Sequence, residues 1–320
     1  MDRLAADLSG SQTSGAQTVA AVVDPSNRAA SVLHQARLRM AIPDELFRLH
    51  ELDVLYSEGE EALWTYMRPA GRPSFTPPML RDFDLWQRLI SAHFGPERVP
   101  LKYLVLGSRA PGVFCFGGDL ELFASLIREG NRDGLVAYGY RCVEILHRNM
   151  QSLDLPILTI GMVQGQALGG GFEALLSFDY IIAERGASFG LPEVMFGLFP
   201  GMGAHAILSR RLGQAIADRI IMGNAVYSAE AMFEMGIVQQ LAEPGEGEAA
   251  VRDFMAKSSR RHAGLVGARR ASRRVNPVSL AELRDVVDHW ADAALQLREQ
   301  DLKLMQRLAG AQSRLPRAAA

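Results

Sequence analysis

A chain of 320 residues, 48% hydrophobic and 22% charged, is long and apolar enough to bury a substantial core without staples. Its net charge of -2 excludes a global electrostatic pull toward nucleic acid or anionic membrane. Two cysteines, Cys115 and Cys142, without CxxC spacing or a histidine ladder nearby, exclude a disulfide framework and a zinc site and read as structural thiols.

Residues 1–42 are rich in Ala, Ser, Gln and Thr without a sustained period, and read as a mostly disordered tail. This stretch has no basic n-region and no apolar h-region, and no run approaches the roughly 20 apolar residues of a membrane span, so the cytoplasm is the expected location. "LDVLYSEG" and "EALWTYMRP" read as two strands joined by a turn at Ser57–Glu60, and "GRPSFTPP" then breaks the chain. The apolar spacing of "MLRDFDLWQRLISAHF" predicts an amphipathic helix. Next come a buried strand, "LKYLVLGS", and two helices, "DLELFASLIREG" and "LVAYGYRCVEILHRNM". The strand "PILTIGMVQG", the short helix "GFEALLSF" and the strand "DYIIAE" follow, then helices in "AHAILSRRLG" and "QAIADRIIMG". A helix "SAEAMFEMG", with Ser228 as N-cap, leads to a last strand, "IVQQLAE". Such alternation predicts an α/β core over residues 43–245 built from right-handed crossovers. Residues 246–320 read as helix only, with a basic cluster at 260–274, and no internal repeat is evident.

Three stretches invite chemistry. In "QALGGGFEALLSFDY", Gly169, Gly170 and Gly171 lie between a strand and a helix, where the first helical N–H groups point outward unpaired. Without side chains there, a polarised carbonyl can reach those donors. A P-loop is excluded because Phe172 and Glu173 stand where Lys-Ser/Thr is needed, and the glycines do not follow a dinucleotide fingerprint. An oxyanion site with an acid beside it remains, against tight helix–sheet packing with a surface glutamate. "GVFCFGGDL", 112–120, repeats the strand–glycine–helix pattern, which is by itself equally a plain turn. In "FGLPEVMFGLFPGMGAHAILSRRLG", Glu193 sits among Leu191, Pro192, Val194, Met195 and Phe196. Apolar neighbours raise a carboxyl pKa toward neutrality, where it serves as acid as well as base. A solvated loop glutamate is the alternative. Two such carboxylates flanking one substrate move a proton at each of two adjacent carbons. No G-x-S-x-G elbow is present, which disfavours a serine thioesterase, and His205 and His262 lack partners at ligand or triad spacing.

Taken together, "FCFGGDL" and "VQGQALGGGFEALLSFDYIIAERGASFGLPEVMFGLFPGMG" resemble the crotonase (enoyl-CoA hydratase/isomerase) superfamily, over about residues 50–310 and best over 101–245. The resemblance implies a ββα spiral core with a helical C-terminal region. It implies catalytic Glu173 and Glu193, thioester-oxygen donors at the N–H groups of Phe116 and Gly170, and no cofactor. Within the superfamily, "GGGFEA" and "LPEVMFGLFPGMGA" look more like the diffusible-signal-factor synthases (RpfF type) than the β-oxidation hydratases. That narrower likeness implies a 3-hydroxyacyl thioester as substrate, released as a free cis-2-unsaturated fatty acid. It places Leu168, Gly169, Phe172, Met202, Trp290 and Leu308 in the acyl pocket, for each of which ordinary core packing is the alternative. The opening of the core lacks the "NRP…NAL" pattern that hydratases use near the CoA adenine, which favours acyl carrier protein over CoA as the acyl carrier. Arg270, Arg273 and Arg274 form either a docking face for that acidic carrier or simply a solvated face. The resemblance further implies a homotrimer or hexamer packed through the C-terminal third and, for the synthases, a sensor kinase partner. A generic enoyl-CoA hydratase and a non-catalytic binding protein of the same fold are the competing readings.

Overall fold

The computed structural model describes residues 41–312. The expected N-terminal tail lies outside them except for Ala41 and Ile42, and Ile42 is buried. Among the described residues, ten strands form two sheets. The larger contains β1 (Leu52–Ser57), β2 (Ala62–Met67), β3 (Tyr103–Ser108), β5 (Leu158–Val163), β7 (Tyr180–Glu184) and β10 (Gln240–Ala242), in the order β1-β2-β3-β5-β7-β10. Only the β1–β2 pair is antiparallel. Strands β2, β3 and β5 are buried along their whole length, which is why they read as continuous apolar runs instead of alternating.

One face of this sheet presents Trp64, Tyr66, Val105, Leu158, Ile160 and Ile182 to Val251, Met255 and Val266 of the helices Gly247–Ser258 and His262–Val275. Against the sheet also packs the helix Pro77–His93, whose Trp86 Nε1 donates to Thr65 Oγ1 on β2 at 3.0 Å. Its N-terminus follows from sequence, with Thr76 accepting the Met79 N–H and Pro77 filling a position that needs no donor. Asp119, Asn131 and the expected Ser228 cap their helices in the same way. The sequence reading of the long elements thus matches the observed order.

Sequence periodicity does not reveal the second sheet. It contains β4 (Val113–Cys115), β6 (Gln166–Leu168), β8 (Ser188–Gly190) and β9 (Val226–Ser228), in that order, and each is three residues long. The main-sheet strands β3, β5 and β7 are each followed by one of these short strands and then by helix, so the core is a ββα spiral. Because β4, β6 and β8 are parallel neighbours, the segments leaving their C-terminal ends converge. Those segments hold residues 116–118, 169–170 and 191–193, and adjacent strands are about 4.8 Å apart. That is what assembles the site.

Candidate active site

The three converging segments border one cavity of about 140 Å³, lined by Gly118, Gly169, Gly170, Glu173, Glu193 and Met202 at its polar end. Glu173 lies in the first turn of the helix Gly170–Leu175 and is buried. Its Oε1 accepts the backbone N–H groups of Met202 at 2.8 Å and Ala204 at 3.0 Å. These donors come from the "PGMGA" loop, where Gly203 at φ +119° permits the turn that aims both N–H groups at the carboxylate. Burial raises the Glu173 pKa to about 7, with the backbone N–H groups opposing the rise.

Glu193 opens the 3-10 turn Glu193–Phe196 and reaches across to the glycine cluster. A Cβ on Gly169 would lie 2.8 Å from Glu193 Oε1, and Gly169 adopts φ +53°, so glycine is needed there on both counts. Glu193 Oε2 is buried without a hydrogen-bond partner. Burial first, and the Glu173 charge second, push the Glu193 pKa well above the usual carboxylate range. The two acids are therefore unequal. Glu173 Oε1 accepts two N–H groups from the facing loop whereas Glu193 Oε2 accepts none, so the cavity favours a negative charge on Glu173 over one on Glu193.

Gly170 supplies the first N–H of its helix, which has no acceptor among the described residues. A Cβ on Gly117, at φ +89°, would land on the Gly170 nitrogen, so glycine at 117 keeps that donor open. The expected second donor needs correction. Phe116 N–H donates to Pro73 O at 2.8 Å, because the segment 73–75 runs alongside the loop and Phe75 N–H also donates to Gly117 O at 2.7 Å. Two residues on, Gly118 N–H has no acceptor among the described residues and lies about 3.5 Å from where a Gly170 Cβ would stand. In this structure the open pair is thus Gly118 and Gly170, while Phe116 contributes its side chain to the cavity wall.

Of the expected pocket residues, Leu168, Gly169, Met202, Trp290 and Leu308 line the cavity. Phe172 does not. Its ring is fully buried and packs edge-on against Phe189 at 5.5 Å, since a helix turns 100° between residues 172 and 173 and only one of them can face the substrate. Missed from sequence are Phe123 and Tyr138, which stack edge-on at 4.9 Å, and Trp290 meets Phe123 at 5.0 Å to complete an aromatic wall. Gly201 lets Trp290 approach, as a Cβ there would be 2.9 Å from the indole.

Cys115 and Cys142 are buried and unpaired, as expected. Arg273 is committed to Asp179 and Ser152, both at 2.6 Å, whereas Arg270 and Arg274 border a surface cleft with Gln151 and Asp154. His262 faces the Lys102 carbonyl and stays outside the site. Among the described residues no helix is long and apolar enough to cross a membrane.

The curated methylglutaconyl-CoA hydratase 1 (mitochondrial) of Pyricularia oryzae is 34% identical over 187 residues, covering 56% of this chain and 51% of that protein. The short-chain-enoyl-CoA hydratase of Clostridium acetobutylicum is 29% identical over 60% of this chain and 69% of its own length. The chain thus spans about half the length of the first of these relatives. Among solved structures, DspI of Pseudomonas aeruginosa is 25% identical, covering 71% of this chain and 80% of that one, with a TM-score of 0.60. An enoyl-CoA hydratase from Bacillus halodurans, 17% identical, shares the fold over 81% of this chain and 100% of its own, with a TM-score of 0.65. The model of the enoyl-CoA hydratase/isomerase family matches residues 98–261, more than half of the chain and the whole of the site apart from the C-terminal wall, and the protein belongs to that family.

Proposed function

We propose that the protein dehydrates a 3-hydroxyacyl thioester and then hydrolyses the 2-enoyl thioester to a free 2-unsaturated fatty acid, as in the diffusible-signal-factor synthases that its motifs resemble. One observation carries the reading: two carboxyls on one cavity, Glu173 Oε1 with two backbone donors from the facing loop and Glu193 Oε2 with none. Glu173, the ionised member, removes the C2 proton, and the N–H groups of Gly118 and Gly170 hold the developing enolate oxygen. Glu193 gives its proton to the departing 3-hydroxyl, which leaves as water. In the second step Glu193 takes a proton from the attacking water, and Glu173 returns the C2 proton to the thiolate that leaves. Both acids then regain their starting states. Each step builds negative charge on the same oxygen, so one donor pair serves both.

The acyl chain lies along Phe123, Tyr138 and Trp290 toward Leu308. Carrier protein is the favoured acyl carrier, because the opening of the core lacks the "NRP…NAL" pattern that hydratases use near the CoA adenine. Hydration of an enoyl-CoA is the second reading, favoured by the names of the two curated relatives. Incubation with 3-hydroxyacyl carrier proteins of several lengths, and separately with crotonyl-CoA, distinguishes them by mass spectrometry. Released free acid supports the two-step reading. Rapid hydration of crotonyl-CoA with no free acid from any carrier protein refutes it.

A further inference from the structure

Behind the catalytic cavity lies a second chamber of about 40 Å³, between the helices Pro77–His93 and Arg132–Met150 and the end of the helix Gly170–Leu175. Met202 lines both spaces and is the partition. Its sulfur stands beside the donor pair, since a Cβ on Gly170 would lie 2.7 Å from it. The chamber is walled mainly by apolar groups such as Phe83, Trp86 and Leu106, with Gln87, Asn149 and Ser177 as its polar lining. Gln87 and Asn149 line it, are 1% and 4% exposed, and each has a buried amide oxygen without a partner. Their nitrogens fix the amide orientation, because Gln87 Nε2 donates to Ile145 O and Asn149 Nδ2 to Ser177 Oγ.

A buried carbonyl oxygen without a partner is costly to keep dry, so two in one chamber call for an occupant with hydrogens to give. A hydrocarbon end offers none and a hydroxyl offers one. Water offers two, and the chamber exceeds the ~10–15 Å³ that one water needs. The site lies directly behind Glu173 and Gly170, whose reaction both releases and consumes water.

We propose that this chamber stores the reaction's water, an inference that rests on the two-step reading above. The 3-hydroxyl, protonated by Glu193, leaves as water past Met202 and is held on Gln87 and Asn149. It then returns to attack the thioester carbonyl, giving its hydroxyl to the acid and a proton to Glu193 while the carrier departs as thiol. One oxygen atom passes from C3 to the carboxyl group, and no solvent water is consumed.

The test is a single turnover of a 3-hydroxyacyl carrier protein labelled with oxygen-18 at the 3-hydroxyl, run in unlabelled water. Label is expected in the carboxyl group of the released acid above the bulk-water background. It is expected to fall to background in Gln87→Met and in Gln87→Met/Asn149→Leu, with free acid still formed. A high-resolution crystal structure supplies the second measurement, with an ordered water bridging both amide oxygens in the wild type and absent from Gln87→Met. Unlabelled acid from the wild type overturns the storage role, and so does label retained in full by folded variants. An empty chamber in the wild-type crystal overturns the site itself. If no free acid forms, the two-step reading and the storage role fall together, whereas a bridging water still upholds the water site.

Discussion

Glu173→Gln is expected to abolish turnover and yet make the protein more stable, by an amount that depends on pH in a defined direction. Burial raises the folded-state pKa of Glu173 from 4.5 to about 7. The folded state therefore binds this proton more tightly than the unfolded chain does. Below the unfolded value both states hold the proton and nothing is lost. As pH rises from 4.5 to about 7 the folded state is increasingly penalised, and above about 7 the penalty levels off. At 1.36 kcal/mol per pKa unit, the penalty is roughly 1 kcal/mol at pH 5 and roughly 3 kcal/mol at pH 8.5. Glutamine removes that penalty, and its carbonyl oxygen can still accept the Met202 and Ala204 N–H groups, so the network survives. Urea denaturation of wild type and variant at both pH values measures the difference. The variant's advantage should widen by about 2 kcal/mol between pH 5 and pH 8.5. Equal advantages at the two pH values would refute the raised pKa, and with it the poised base.

The same pair shapes the pH–rate profile. kcat/KM should rise with pH through about 7 as Glu173 ionises, and fall again when Glu193, whose pKa is raised further by burial and by Glu173, loses its proton; the Glu193→Gln variant should lose about 10²–10⁴-fold in rate and its descending limb. Gly117→Ala covers the Gly170 donor and should cost about 10²–10³-fold in kcat, the worth of one oxyanion donor, with KM little changed. Steady-state kinetics checks this, and wild-type kcat in a folded Gly117→Ala protein would show that the donor is not used. Met222, Val226 and Phe233 are large apolar side chains at 64%, 67% and 46% exposure, on consecutive elements of the core. Val226→Asp/Phe233→Asp should dissociate the expected homo-oligomer in sedimentation velocity, and an unchanged mass would place the interface elsewhere.

The long elements were legible because periodicity needs length. A seventeen-residue helix such as Pro77–His93 and the buried runs of β3 and β5 declare themselves. The four strands of the second sheet, three residues each, are too short to show a period. Yet it is their adjacency that brings "FCFGGDL", "ALGGGFE" and "GLPEV" together. The acids were legible as residue types and spacing, but their inequality was not. It depends on backbone donors at Met202 and Ala204, about thirty residues beyond Glu173, and backbone groups leave no mark in a side-chain pattern.

The oxyanion donor shows the same principle in reverse. Phe116 matches the position that the family motif assigns, but the availability of an N–H is decided by what runs beside it. Here Pro73 takes it, forty-three residues upstream, and Gly118 is left open. The segment 72–75 that makes this contact is also tied to the loop through the Arg72–Asp119 ion pair at 2.9 Å. A change at 72–75 acts on the oxyanion loop through these backbone and ion-pair contacts. Substitution of Arg72 is therefore expected to disturb the loop that carries the open Gly118 N–H without touching either glutamate.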